Sequence, residues 1–112
     1  MPVTTRQANG ITVLDVSGPI TADGSGGQVH SAVQQAVQAG TKNILLHLGG
    51  VAMVDSSGIG ECIASLASVT NKGGTLKMAA VPPKVQDVLN VTKLNNVIET
   101  HDTEDAAVAS FK

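Results

Sequence analysis

The residue types and spacings best suited to chemistry lie together at Asp55-Ser56-Ser57-Gly58-Ile59-Gly60. A carboxylate and two hydroxyls cluster where a loop gives way to a helical pattern, and aspartate and serine are all good N-caps. Neither serine has Glu or Gln three residues on, so no capping box forms. Capping accounts for one of the three polar residues. It leaves Gly58 and Gly60 unexplained, since each glycine in a helix costs roughly 1 kcal/mol relative to alanine. These glycines are expected to leave the surface around the serines bare, so that another protein can approach closely. The pattern predicts a serine held exposed at a helix start.

The other reactive side chains are weaker candidates. His30, His47 and His101 lie far apart and show no metal-ligand spacing. His47 sits inside an apolar run and reads as a hydrogen-bonded structural histidine. Cys62 falls on a helical apolar stripe and reads as a small buried hydrophobe, with burial opposing any helix-terminus lowering of its pKa. Gly24-Ser25-Gly26-Gly27 lacks the Lys-Ser/Thr pair of a phosphate loop and reads as a flexible loop before a helix. A hydrolase using Ser56 with His47 or His101 and Asp55 is a poor arrangement. Its acid would neighbour the nucleophile in sequence, and no Gly-x-Ser-x-Gly elbow is present.

The elements that must position the serines read as alternating strands and helices. Val3 to Ala8 and Ile11 to Val16 flank Asn9-Gly10, a dipeptide suited to a two-residue hairpin turn. Ile11 and Val13 alternate on one face of that strand and Leu14 and Val16 on the other, as in a strand covered on both sides. Gly18-Pro19 is expected to end it, with a loop over Thr21 to Gly27. Val29, Ala32, Val33, Ala36 and Val37 share a helical face, and Gly40 suits the C-cap. Ile44 to Leu48 reads as a buried central strand. Ile59, Cys62, Ile63, Leu66 and Val69 mark a second helix stopped by Gly73-Gly74. Leu76, Met78 and Ala80 mark a strand, and Pro82-Pro83 opens a helix carrying Val85, Val88 and Leu89. Val97-Ile98 is placed as an edge strand, and Ala107, Val108 and Phe111 in a short terminal helix. The order predicts one α/β domain over residues 1–112: a small, mostly parallel mixed sheet opened by an antiparallel hairpin, with about four helices.

Composition narrows the class further. The 112 residues are 42% hydrophobic, 14% charged and 1% aromatic, which suits one small domain with an aliphatic core. A formal net charge of −2 argues against binding through nucleic-acid phosphates. The single cysteine cannot close an internal disulfide. With neither a signal-peptide pattern nor an apolar stretch long enough to span a bilayer, a cytoplasmic setting without membrane insertion is expected.

Val54-Asp55-Ser56-Ser57-Gly58-Ile59-Gly60 resembles the Asp-Ser-Ser-Gly-Leu/Ile-Gly signature of STAS domains, specifically bacterial anti-sigma factor antagonists. The strand at Ile44 to Leu48, Gly73-Gly74 before Leu76 and the Thr92-Lys93-Leu94 segment also fit, so the resemblance covers essentially the whole chain. It implies a phosphorylation-controlled binding module without catalysis or cofactor of its own. Ser56 would be phosphorylated by a partner that is both anti-sigma factor and kinase, with a histidine-kinase-like ATPase fold. The unphosphorylated domain would sequester that partner, phosphorylation would abolish binding, and a PP2C-type phosphatase would restore it. Asp55 would sit beside the acceptor, with Ser57 and Gly58 starting the helix. Met53 and Ile59 would supply interface contacts in the absence of aromatic anchors, with Asp23, Gly24 and Ser25 in a contacting loop. The alternative is a constitutive STAS scaffold or a small-ligand sensor subunit of a signalling assembly.

Overall fold

Residues 3–21 and 26–111 are described by a computed structural model of the chain. The opening hairpin pairs β1 (Val3–Ala8) with β2 (Ile11–Ile20) in unbroken antiparallel register from Val3 opposite Val16 to Ala8 opposite Ile11. Asn9 and Gly10 turn it with φ values of 54° and 81°, the two left-handed residues of a type I′ turn. Helix α1 (Gly26–Gln38) follows and ends where Gly40 takes φ 92° and Thr41 N–H bonds back to the Ala36 carbonyl. Strand β3 (Asn43–Val54), α2 (Ser56–Thr70), β4 (Thr75–Ala79), α3 (Pro83–Val91), a single 3₁₀ turn (Leu94–Asn96), β5 (Glu99–His101) and α4 (Glu104–Ser110) complete the order.

The strands lie side by side in sequence order, β1 antiparallel and the rest parallel. Strand alternation builds two cores. Leu14, Val16, Ile44, Leu46, Leu76 and Met78 pack under Val29 and Val33 of α1, Ile59, Cys62 and Val69 of α2, and Val85 and Leu89 of α3. On the opposite face Ile11, Val13, Leu45 and Ala79 pack against Ala107 and Val108 of α4, with Phe111 at the margin. The split of Ile11 and Val13 from Leu14 and Val16 is the two-sided burial their alternation predicts. Helix α4 is pinned at both ends. Arg6 holds Glu104 as well as Asp15, at 2.6 Å from Asp15 Oδ2, and Lys77 Nζ donates to the Ser110 carbonyl at 3.0 Å and to Ser110 Oγ at 2.8 Å.

Several expected boundaries move: β4 stops at Ala79, with Ala80 at φ 56° beyond it, and α1 begins at Gly26, inside the expected loop. Gly18-Pro19 does not end β2: register shifts between Asp15 and Ser17 and between Gly18 and Ile20 absorb them, with Gly18 at φ 77°. Strand β3 continues past Leu48 through Gly49-Gly50 to Val54, because the far half of β2 pairs with it as far as Ile20 opposite Val54. The last strand begins at Glu99, and Val97 stands 61% exposed before it.

Candidate functional site

Strand β3 pairs with β4 only from Asn43 to His47, whereas it follows β2 to Val54. The far halves of β2 and β3 therefore form a two-stranded extension that carries the start of α2. Asp55 ends that extension with φ −98° and ψ −174° and N-caps α2, its Oδ1 accepting from Gly58 N–H at 2.8 Å. The Asp55 N–H donates to the Ile20 carbonyl at 3.3 Å, and the Asp55 carbonyl accepts from Ile59 N–H at 2.9 Å. Ser56 and Ser57 occupy the first two helical positions and are both exposed. Their amides find no hydrogen-bond partner among the described residues, as befits the first turn of a helix.

Met53, 48% exposed, flanks the serines on β3, and Asp55 is half-buried beside them. The expectation for Gly58 is corrected. A Cβ there would lie 1.9 Å from the Ile20 carbonyl oxygen, so the missing side chain lets α2 seat on β2 and leaves no open surface. Gly60 does face open space, with nothing among the described residues within 4 Å of where a Cβ would stand. Ile59 is corrected in the same way: 8% exposed, its side chain packs into the core and offers a partner little. Asp23, Gly24 and Ser25 lie outside the described residues. The reading of residues alone missed Ile20, whose carbonyl seats both Asp55 and Gly58. No local pattern marks a carbonyl that acts through a contact so distant in sequence.

The other titratable groups sit elsewhere. His47 Nδ1 lies 3.4 Å from Gly49 N and 3.7 Å from Asp15 Oδ1, and His101 Nε2 lies 2.7 Å from Glu99. His30 bridges α1 to α2, with Nδ1 3.3 Å from Glu61 and Nε2 3.5 Å from Ser68 Oγ. None of these contacts joins a histidine to Ser56 in the arrangement a serine nucleophile needs. Cys62 is buried, and burial, assisted by neighbouring Glu61, pushes its thiol up to about 11. Asp15, His47 and Glu104 gather with ligand atoms within 4.8 Å of one another, a grouping the sequence spacing does not reveal. The Arg6 guanidinium already neutralises both carboxylates there and holds them below the usual carboxylate range, so the cluster reads as an ion-pair network.

The STAS domain family's sequence profile matches residues 2–107. The chain belongs to the STAS domain family. A candidate anti-sigma factor antagonist of Thermotoga neapolitana is 32% identical over 69 residues, covering 62% of this chain and 61% of that protein's own length. The anti-sigma F factor antagonist of Paenibacillus polymyxa is 26% identical over 106 residues, covering 92% of this chain and 88% of its own. The crystal structure of a candidate anti-sigma factor antagonist from Thermotoga maritima superposes with a TM-score of 0.88 at 21% identity, over 96% of this chain and 92% of that one. The Bacillus cell fate determinant SpoIIAA in its phosphorylated form superposes with a TM-score of 0.73 at 16% identity, over 98% and 99% of the two chains. The five-stranded mixed sheet and four helices are thus the STAS fold. No helix among the described residues is long and apolar enough to cross a membrane.

Proposed function

We propose that this STAS domain is an anti-sigma factor antagonist, a binding module switched by phosphorylation of Ser56 that regulates transcription indirectly. The observation that carries the reading is exposed Ser56 at the first position of α2, beside the capping Asp55 and two amides that have no hydrogen-bond partner among the described residues. The names of the relatives from Thermotoga neapolitana and Paenibacillus polymyxa support the antagonist role. The phosphorylated form of SpoIIAA, which shares the fold, supports the switch.

The proposed partner is an anti-sigma factor with a histidine-kinase-like ATPase fold, engaged by Met53, Ser56, Ser57 and the backbone around them. Phosphorylation makes a bond between Ser56 Oγ and the γ-phosphorus of ATP and breaks that phosphorus from ADP. The hydroxyl proton passes to a base on the kinase. The phosphate adds about −1.5 to −2 charges at neutral pH. The domain tolerates it, since the first-turn amides of α2 and the helix dipole favour an anion there. The cost falls on the interface, where a bulky charge beside Asp55 must be desolvated against the partner. A PP2C-type phosphatase then resets the domain by hydrolysing the phosphoserine.

Affinity capture from the native lysate with wild-type, Ser56→Ala and Ser56→Asp baits tests the switch. Wild type and Ser56→Ala should recover a histidine-kinase-like ATPase that Ser56→Asp does not. Equal recovery by all three baits refutes the switch and favours a constitutive STAS scaffold.

A further inference from the structure

The two edges of the sheet are unlike. Strand β5 is only three residues long, which discourages further pairing. Strand β1 is six residues long, unbroken in register, and Thr4, Thr5, Arg6 and Gln7 are all exposed. Its one charge does not guard the edge, because Arg6 is held against Asp15 and Glu104. Beside the edge, on the helix-bearing face, a shallow groove of about 340 Å³ runs between β1 and α1, lined by Thr5, Gln28, Ser31 and Gln35 among others. Helix α1 contains no Asp, Glu, Lys or Arg in its 13 residues. The flank of the open edge is therefore uncharged and rich in amides and hydroxyls that both donate and accept. On this face a second copy, carrying the same surface, meets it without like-charge repulsion, and on the other face Arg6 is already paired within each copy with Asp15 and Glu104.

We propose that β1 pairs antiparallel with β1 of a second copy of this chain, joining two five-stranded sheets into one across a twofold axis. An axis perpendicular to the sheet keeps the helix-bearing faces of both copies on the same side, so opposed residues have the same inward or outward sense. Centring the axis on Thr5 sets Thr5 against Thr5, Thr4 against Arg6 and Val3 against Gln7, and keeps Arg6 from facing itself. The polar residues of the two α1 helices then line one continuous groove. Two short edges bury less than a standard interface of about 1,600 Å², so the dimer is weak and concentration-dependent. Ser56 lies on α2, away from the paired edge, and this dimer does not depend on the switch.

Sedimentation equilibrium from micromolar to millimolar protein, with a cross-linking arm, tests the pairing. The average mass of wild type should rise towards twice the monomer. Thr5→Lys, which sets like charges against each other, should stay monomeric with an unchanged circular dichroism spectrum. Gln35→Glu on α1 provides a second weakening variant should Thr5→Lys fold poorly. Under mild oxidation Thr5→Cys should form a disulfide-linked dimer, while Thr70→Cys on exposed α2 should not, and buried Cys62 takes no part. A wild type that stays monomeric throughout, a dimer unaffected by both weakening variants, or cross-linking of Thr70→Cys as efficient as that of Thr5→Cys overturns the proposal.

Discussion

At the scale of single residues, the start of α2 depends on what Asp55 gives and what Gly58 lacks. Asp55 supplies the cap through Oδ1 to Gly58 N–H. Asp55→Ala should destabilise the domain by about 0.5–2 kcal/mol, and Asp55→Asn by much less, because asparagine caps nearly as well. Urea denaturation of the two variants checks the difference. Gly58→Ala forces a methyl group to within 1.9 Å of the Ile20 carbonyl oxygen, and that obstacle is strand backbone. Overpacking of this kind costs typically about 1–3 kcal/mol, so the urea midpoint should fall. Gly60→Ala, where the space is open, should hold or raise it. Cys62 offers a third residue-scale check. With its thiol pushed up to about 11 and its side chain buried, it should resist alkylation in the native state at mildly alkaline pH. Labelling should follow only as denaturant unfolds the chain; rapid native labelling would show that α2 opens locally.

At the scale of elements, α4 is the cover most exposed to solution conditions. It closes the smaller core alone, held by Arg6–Glu104 at its start and Lys77–Ser110 at its end, with the Phe111 ring 4.9 Å from Lys77 Nζ. Arg6 hydrogen bonds hold Glu104 and Asp15 below the ordinary carboxylate range, while Lys77 and then His101 bring Glu99 down to about 2. These folded-state values lie below the unfolded ones, so what the pairs contribute is complete above the ordinary carboxylate range. It fades as pH falls through that range towards about 2. Hydrogen exchange should therefore show α4 losing protection on acidification before the β2–β3 centre does. Arg6→Ala should lower protection of α4 at neutral pH and flatten its acid dependence. The contribution of each pair is modest, because each pair includes a solvent-exposed group, Arg6 or Glu99.

Much of this element pattern was legible in the chain itself, and the failures share one physical cause. Asn9-Gly10 specified the hairpin because few other dipeptides accept two positive φ values. Gly40 marked the end of α1 for the same reason. Gly18-Pro19 and Gly49-Gly50 carried an equally strong turn signal yet lie within strands, where pairing between β2 and β3 absorbs them as bulges and close contacts. Punctuation residues mark a departure from regular backbone and do not say whether a neighbouring strand will accommodate it. At the site, Gly58 was recognisable as out of place in a helix, and its reason lies in Ile20, across the sheet. The Arg6–Asp15–Glu104 network was invisible for a like reason: its members come from β1, β2 and α4.

At the scale of the whole molecule, the sheet, α1, α2 and α3 share one aliphatic core, and the candidate switch sits on the surface. Ser56 is exposed and lies outside the buried core cluster, so charge placed there need not alter the packing beneath. Phosphorylation at Ser56 should leave the thermal midpoint and the circular dichroism spectrum nearly unchanged, with any stabilisation by the α2 amides and dipole about 0.3–1 kcal/mol. A large loss of helix signal would place the switch in the fold and away from the interface.

The most direct measurement is a calorimetric titration of the captured ATPase with the domain, unmodified and then stoichiometrically phosphorylated on Ser56. An uncompensated charge buried at an interface costs about 2–5 kcal/mol, so affinity should fall roughly 30-fold or more, with the fold unchanged. Equal affinity for both forms would contradict the account and reduce Ser56 to the first residue of a helix.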